Sequence, residues 1–341
     1  GIVVGGEAER VAPDAIAGQE HARVLNLAVG IQKPSADDAD FRALGLLDQG
    51  IEPVALDDFD IVVQEQQIFA VRDIDCGSDR MILIAGPCVI EEESLMMRTA
   101  ERLKKITAAL DLPLIFKSSF SKDNRSSLDF YQGPGLEAGL RILEKIKKQF
   151  DLPILTDIHY PYQAAPAAEV CDVIQIPAYL CMQSELVVAA AKTGAVVNVK
   201  HGQFIAPENM AKPCQKIEAS GNSKIILTER GYTFGYNDLI VDPRSFYLLR
   251  QIGYPVVFDI GHSIRKYGIP SKDPRGGARQ FLNTLARAGV AAGVDGIFLE
   301  THPNPPDALC DAASQYYLDD LESFIRPLLD IHNLVHAQPL H

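Results

Sequence analysis

The chain has 341 residues, 47% of them hydrophobic and 23% charged, with a net charge of −13. That composition suits a globular protein with a sizeable core, and its acidity disfavours nucleic acid as a partner. No apolar run reaches the roughly 18–20 residues needed to cross a bilayer, which argues against a membrane partner. The N-terminus lacks the basic-then-apolar pattern of a secretory signal and is too acidic for a transit peptide. Six cysteines are scattered without a CxxC pair, which fits a reducing, cytoplasmic setting better than a disulfide framework.

The charge is uneven. Residues 1–78 hold five basic and fifteen acidic side chains. Short apolar runs at 2–4, 24–31, 61–63 and 68–71 alternate there with acidic and Pro/Gly stretches. This region reads as an acidic extension, either a small β-rich module or a partly disordered tail. Residues 79–341 read as a separate barrel domain.

From Met81 a regular alternation begins. The predicted strands are Ile82–Ala85, Leu114–Lys117, Ile154–Asp157, Val173–Gln175, Val196–Val199, Ile225–Thr228, Val256–Asp259 and Gly296–Glu300. Each is almost continuously apolar, as expected of parallel strands buried on both faces. Amphipathic segments separate them: Glu92–Leu110, Leu136–Phe150, Gln163–Val170, Glu185–Lys192, Pro207–Ala219, Pro243–Gln251, Ala278–Ala292 and, last, Leu318–His332. Eight such units predict an α/β protein, a (β/α)8 TIM barrel with an N-terminal extension. An open doubly wound sheet is the alternative, but no GxGxxG follows the first strand.

Polar side chains stand where a barrel places its chemistry. Cys88, Lys117, Asp157, Lys200, Arg230, His262 and Glu300 lie at or just past the C-terminal ends of predicted strands. The βα loops of a barrel converge on that face. Lys117, Lys122, Arg125, Lys200 and Arg230 form a cationic set suited to phosphate and carboxylate groups. Any one of them alone is as easily a solvated surface residue. Cys88, His262, Glu300 and Asp311 offer a thiolate, an imidazole and two carboxylates, a mixture that suits Zn, Fe, Mn or Co better than Mg or Ca. Singly, a buried thiol, a structural His or a helix-capping Asp explains each.

Six motifs carry a resemblance: Ala85-Gly-Pro-Cys-Val-Ile-Glu91, Lys122-Asp-Asn-Arg-Ser-Ser127, Gln175-Ile-Pro-Ala178, Gln203-Phe204, Thr228-Glu-Arg-Gly-Tyr-Thr-Phe-Gly-Tyr-Asn237 and Glu300-Thr-His-Pro303. Together, over about residues 81–335, the chain resembles the 3-deoxy-D-manno-octulosonate 8-phosphate synthases. The sister heptulosonate synthases typically carry Lys-Pro-Arg-Thr where this chain has Asp123-Asn-Arg-Ser126. The resemblance implies condensation of phosphoenolpyruvate with D-arabinose 5-phosphate by a homotetramer that needs a divalent metal ion. It implies Cys88, His262, Glu300 and Asp311 as ligands of the metal-dependent class. Lys117, Lys122, Lys200 and Arg230 would hold phosphoenolpyruvate. Asn124, Arg125 and Ser126 would hold the aldose phosphate, with Gln175 also at the substrate site, and Asp157 and His159 would line the sugar end and the water path. Met182, Tyr160 and His201 stand where the family usually has Arg, Glu and Lys, and the loop 265–279 also departs from the usual pattern. Two other readings stay open: the same chemistry on another aldose phosphate such as erythrose 4-phosphate, and a non-catalytic barrel with a binding or regulatory role.

Overall fold

The computed structural model describes residues 66–123, 127–234 and 237–337. Residues 1–65 of the acidic extension, and with them most of the expected β-rich module or tail, lie outside the described residues. The described end of the extension forms a hairpin of strands β1 (Phe69–Val71) and β2 (Ile74–Cys76), paired antiparallel.

Eight parallel strands follow: β3 (Ile82–Gly86), β4 (Leu114–Lys117), β5 (Ile154–Asp157), β6 (Val173–Ile176), β7 (Val196–Lys200), β8 (Ile225–Glu229), then β11 (Val256–Asp259) and β12 (Gly296–His302). Each pairs with its predecessor, and β12 returns to pair with β3, so the sheet closes into the expected (β/α)8 barrel. Every predicted barrel strand is present, to within two residues at its ends. A small antiparallel hairpin, β9 (Tyr232–Phe234) and β10 (Asp238–Ile240), interrupts the alternation after β8. It was not expected from the apolar pattern, because its side chains are mostly exposed. A two-residue strand β13 (Tyr316–Tyr317) extends the end of β12.

The outer helices form where apolar residues recur at helical spacing. In the helix Leu136–Phe150 the buried residues are Gly139, Leu140, Leu143 and Ile146. Gly139 has no Cβ because Phe120 packs where one would stand. The helix Pro243–Arg250 starts with an Asp242 cap that accepts from the Arg244 amide, followed by Pro at the first helical position, an arrangement that satisfies one orphan N–H and removes another. The predicted helix at 278–292 begins at Leu282, after a single 3₁₀ turn, and the last helix spans Leu321–Ala337.

The strands separate two cores. Leu83, Ala85, Leu114, Phe116 and Ile154 pack outward among the helices. Ile82, Ile84, Ile115, Leu155, Val173, Val196, Ile226, Val257 and Phe298 form the barrel interior, and Val71, Ile74 and Cys76 of the β1–β2 hairpin join the same cluster. The hairpin thus plugs the mouth at the strands' N-terminal ends, and burying Val71 and Ile74 there stabilises the fold by about 1.5–3 kcal/mol each. The two-residue strand period then decides the other end. Two residues beyond the interior apolar layer stand Lys117, Asp157, Gln175, Asn198, Thr228, Asp259 and Glu300, all buried.

Candidate active site

These polar residues form a connected floor. Thr228 Oγ1 donates to Asn198 Oδ1 at 2.6 Å, and Asn198 Nδ2 donates to Gln175 Oε1 at 2.9 Å. Lys117 Nζ lies 2.5 Å from Glu300 Oε1 and donates to the Cys88 carbonyl at 2.9 Å. Gly86 permits this approach, since a Cβ there would overlap the Lys117 carbonyl oxygen. Lys200 Nζ pairs with Asp259 and sits 3.4 Å from the centroid of the Phe298 ring. Lys122 Nζ is 3.6 Å from Asp157 Oδ2, and Ser119 Oγ donates to the other carboxylate oxygen. His159 Nε2 is also 3.6 Å from Asp157 Oδ2. Arg230 donates to the Tyr267 hydroxyl at 2.7 Å and to the His262 carbonyl at 3.2 Å.

A cavity of about 140 Å³ opens above this floor, walled by Lys122, Asp157, Gln175, Lys200, Arg230, His262, Glu300 and Asp311. His262 reaches it from a four-residue helix, Ile260–Ser263, that begins directly after β11; Asp259 caps it by accepting from the His262 amide. The same carboxylate lies 2.7 Å from His262 Nδ1, which leaves Nε2 facing Glu300 Oε2 at 3.8 Å and Asp311 Oδ2 at 3.6 Å. Cys88 Sγ is 3.5 Å from that Asp311 oxygen. The four residues singled out as possible ligands therefore meet, with Asp311 as the common member. Asp311 holds a left-handed backbone, φ 48°, an uncommon conformation that Asp tolerates better than most residues.

These groups fit a divalent ion. Glu300 Oε2 is buried without a hydrogen-bond partner among the described residues, a costly state that a cation would relieve. A His whose second ring nitrogen rests on a carboxylate is the usual support of a metal ligand, and Asp259 supplies it. Thiolate, imidazole and carboxylate together favour Zn, Fe, Mn or Co.

The electrostatics follow from burying many charges together. Burial would raise the Asp157 carboxyl, but Lys122 and Lys117 outweigh it and hold the group below its usual range. Burial likewise opposes ionisation of Asp259, yet His262 and Lys200 keep it a carboxylate. Burial would lower His262, and Asp259 and Glu300 reverse this and raise it. Lys200 is the exception: burial lowers it to about 8 despite Asp259. Burial pushes the Cys88 thiol well up, with neighbouring Cys310 adding to the effect; a bound cation would reverse that shift.

Most of the expected site residues converge here. Lys117 is fully buried and engaged by Glu300 and Cys88, beneath the cavity rather than on its wall. Asn124, Arg125 and Ser126 lie outside the described residues. The three departures have structural accounts of their own. His201 is buried between Glu229 Oε2 and the Ile205 carbonyl, each at 2.9 Å. Tyr160 donates to Asp123 at 2.5 Å. Met182 packs against the helical core. Sequence reasoning missed Asp259, Tyr267 and Cys310. Asp259 was available from the strand-end rule, being the last residue of a predicted strand. Cys310 Sγ, 2.7 Å from Cys88 Sγ, and Tyr267 come from loops, where spacing carries no signal.

Comparison with known proteins agrees with this geometry. A profile of the DAHP synthetase I family matches residues 60–336. The chain belongs to the DAHP synthetase I family. It is 54% identical over 260 residues to a 2-dehydro-3-deoxyphosphooctonate aldolase of Trichlorobacter lovleyi, covering 76% of this chain and 95% of that one. The Pelobacter propionicus protein of the same name is 54% identical over 266 residues, with 78% and 97% covered. The Protochlamydia amoebophila protein of that name is 47% identical over 270 residues, with 79% and 98% covered. The DAHP synthetase I match takes in β1, β2 and all eight barrel strands. No described helix is long and apolar enough to cross a membrane.

Proposed function

We propose that the chain condenses phosphoenolpyruvate with D-arabinose 5-phosphate and water. The products are 3-deoxy-D-manno-octulosonate 8-phosphate and inorganic phosphate, a step of Kdo and lipopolysaccharide biosynthesis. One observation carries this reading: cations from separate strand ends converge on a cavity beside a thiol, imidazole and carboxylate cluster, in a chain that over about three quarters of its length is 54% identical to proteins named for that product. The family match alone covers both sister activities; the named relatives favour the octulosonate one over erythrose 4-phosphate.

The bond changes balance as follows. The C2=C3 π pair of phosphoenolpyruvate forms the bond from C3 to the aldehyde carbon, whose oxygen takes one proton of the water. The oxygen of that water bonds to C2 and becomes the keto oxygen, while the C2–O bond breaks with its electron pair leaving on phosphate, which carries away the second proton. Lys200 and Arg230 would bind the phosphate and carboxylate of phosphoenolpyruvate, Arg as a planar fork and Lys as a point charge. Lys122 would shift part of its attraction from Asp157 to the incoming anion. These cations would hold two mutually repelling substrates at reacting distance, which lowers the barrier by positioning and by electrostatic stabilisation. Burial lowers His159, which favours the neutral imidazole, and its two buried ring nitrogens have no hydrogen-bond partner among the described residues, so it is suited to take a proton from water beside Asp157. Asn124, Arg125 and Ser126 keep the aldose roles that the resemblance implies. A divalent ion held by Cys88, His262, Glu300 and Asp311 would supply Lewis acidity to an oxygen of aldehyde or water.

No disulfide joins the six cysteines among the described residues, which supports a cytoplasmic setting. Exposed Phe204, Phe234 and Ile240 line an apolar groove, which supports a homo-oligomer, the tetramer carried over from the resemblance. Residues 79–341, closed by the β1–β2 hairpin, would form the synthase unit, with an acidic extension ahead of it. The test is phosphate release from phosphoenolpyruvate with arabinose 5-phosphate or erythrose 4-phosphate, each with and without chelator. Chelator-sensitive release with the five-carbon sugar alone is expected. Release with the four-carbon sugar alone would move the chain to the sister activity.

A further inference from the structure

The cations of the site differ in how they are matched. Lys117, Lys122 and Lys200 each face a carboxylate. Two guanidinium groups on the cavity wall, Arg230 and Arg265, form no ion pair among the described residues. Arg230 is at least held by Tyr267 and the His262 carbonyl. Arg230 Nε and Arg265 Nη1 are both buried with no hydrogen-bond partner among the described residues, but only Arg230 has its other nitrogens engaged by side chain or carbonyl there. A buried guanidinium N–H without an acceptor is expensive, and an anion entering the cavity would remove that cost.

The loop holds this group in place before any anion arrives. Arg265 and Gly277 form an antiparallel bridge. Lys266 N donates to the Gly276 carbonyl at 2.9 Å, and Ala278 N to the Ile264 carbonyl at 2.8 Å. The segment therefore folds back on itself with Arg265 at its base. The guanidinium rests against Gly276, where an added Cβ would come within 3.2 Å of Nη1. Ser271, from the tip of the same loop, lines the cavity too and adds a hydroxyl donor.

We propose that Arg265 binds the phosphate of the aldose phosphate and so acts as a specificity-determining residue supplied by the chain itself. This rests on the synthase reading. Arg230 follows directly on β8 and sits with Lys200 at the strand ends, where phosphoenolpyruvate would bind. Arg265 comes from a separate element, the loop beyond β11 and the short helix after it, and reaches the same cavity. Two phosphate groups repel each other and require separate cations, so with Arg230 and Lys200 engaged by phosphoenolpyruvate the remaining open guanidinium falls to the second substrate.

The experiment compares full-length wild type with Arg265→Gln and Arg265→Lys. It measures initial phosphate release, and calorimetric binding of arabinose 5-phosphate in the absence of phosphoenolpyruvate. For Arg265→Gln, KM for the aldose phosphate should rise about tenfold or more, the effect of losing a charge-assisted bond. KM for phosphoenolpyruvate should stay within about twofold, and the preference for arabinose 5-phosphate over arabinose should fall by the same factor as the aldose phosphate's kcat/KM. Arg265→Lys should restore part of each and carries the test alone if the Gln variant does not fold. A raised KM for phosphoenolpyruvate with an unchanged aldose phosphate KM would overturn the assignment, as would an undiminished preference for the phosphorylated sugar. If wild type binds arabinose 5-phosphate but releases no phosphate, the synthase reading fails. Binding lost in Arg265→Gln would then still support the Arg265 site.

Discussion

Replacing Lys117 with Met removes one half of a buried ion pair and tests how the floor of the site is held together. Lys117 and Glu300 are 1% and 2% exposed at their side chains, with 2.5 Å between Nζ and Oε1. Breaking such a pair from one side typically costs about 3–5 kcal/mol, because the remaining charge is stranded. Glu300 has one escape, which is to take up a proton. From an ordinary Glu value near 4.3, protonation at pH 7 costs roughly 3.7 kcal/mol, and at pH 5 only about 1 kcal/mol. His262 and Lys122 also favour the carboxylate and soften the loss. Lys117→Met should therefore lose about 3–4 kcal/mol at pH 7 and about 1–2 kcal/mol at pH 5. At pH 7 that corresponds to a melting point lower by about 5–7 °C for a domain of this size. The sign follows from proton counting. In the variant Glu300 holds its proton to higher pH folded than unfolded, so the deficit grows as pH rises through that window. The assay is guanidinium unfolding of both proteins in EDTA, each variant referred to wild type at the same pH. An equal loss at both pH values would refute the charge argument and leave lost packing as the cause.

Three further outcomes are expected. Lys200, lowered to about 8 by burial against the pull of Asp259, should lose its charge above that pH, so kcat/KM for phosphoenolpyruvate should fall about tenfold per unit there. Between about 8 and 10.4 the unfolded state binds more protons at this Lys, so its contribution to stability rises with pH while activity falls; a profile flat to pH 9.5 would remove Lys200 from the substrate site. Cys88→Ala should reduce metal retained through gel filtration at least about tenfold, and equal metal content by plasma mass spectrometry in variant and wild type would exclude Cys88 as a ligand. Ile74→Ala, in the hairpin plug, should cost about 2–4 kcal/mol in chemical unfolding, with kcat unchanged because the site occupies the other mouth; a drop in kcat would couple the two ends of the barrel.

What the sequence determined by itself was the periodic part of the molecule. Strands buried on both faces must be apolar nearly throughout, and the helices that cover them must carry an apolar stripe, so all eight units were legible from Met81 onward. Polar residues at strand ends were legible for the same reason: Lys117, Asp157 and Glu300 break apolar runs that have no other cause to stop. The fourth such break, Asp259, was visible as a strand end, but its work on His262 and Lys200 was not. The tertiary structure alone decided which distant residues meet. Cys88 and Asp311 are 223 positions apart, and only closure of β12 onto β3 brings them together. It also decided which cations are matched and which are open, since a carboxylate two strands away in the sheet leaves no trace in local spacing. The β9–β10 hairpin and the Arg265 loop are held by backbone hydrogen bonds, which impose no apolar period, so neither was legible in the sequence, and the place of Arg265 on the cavity wall emerged only from the folded barrel.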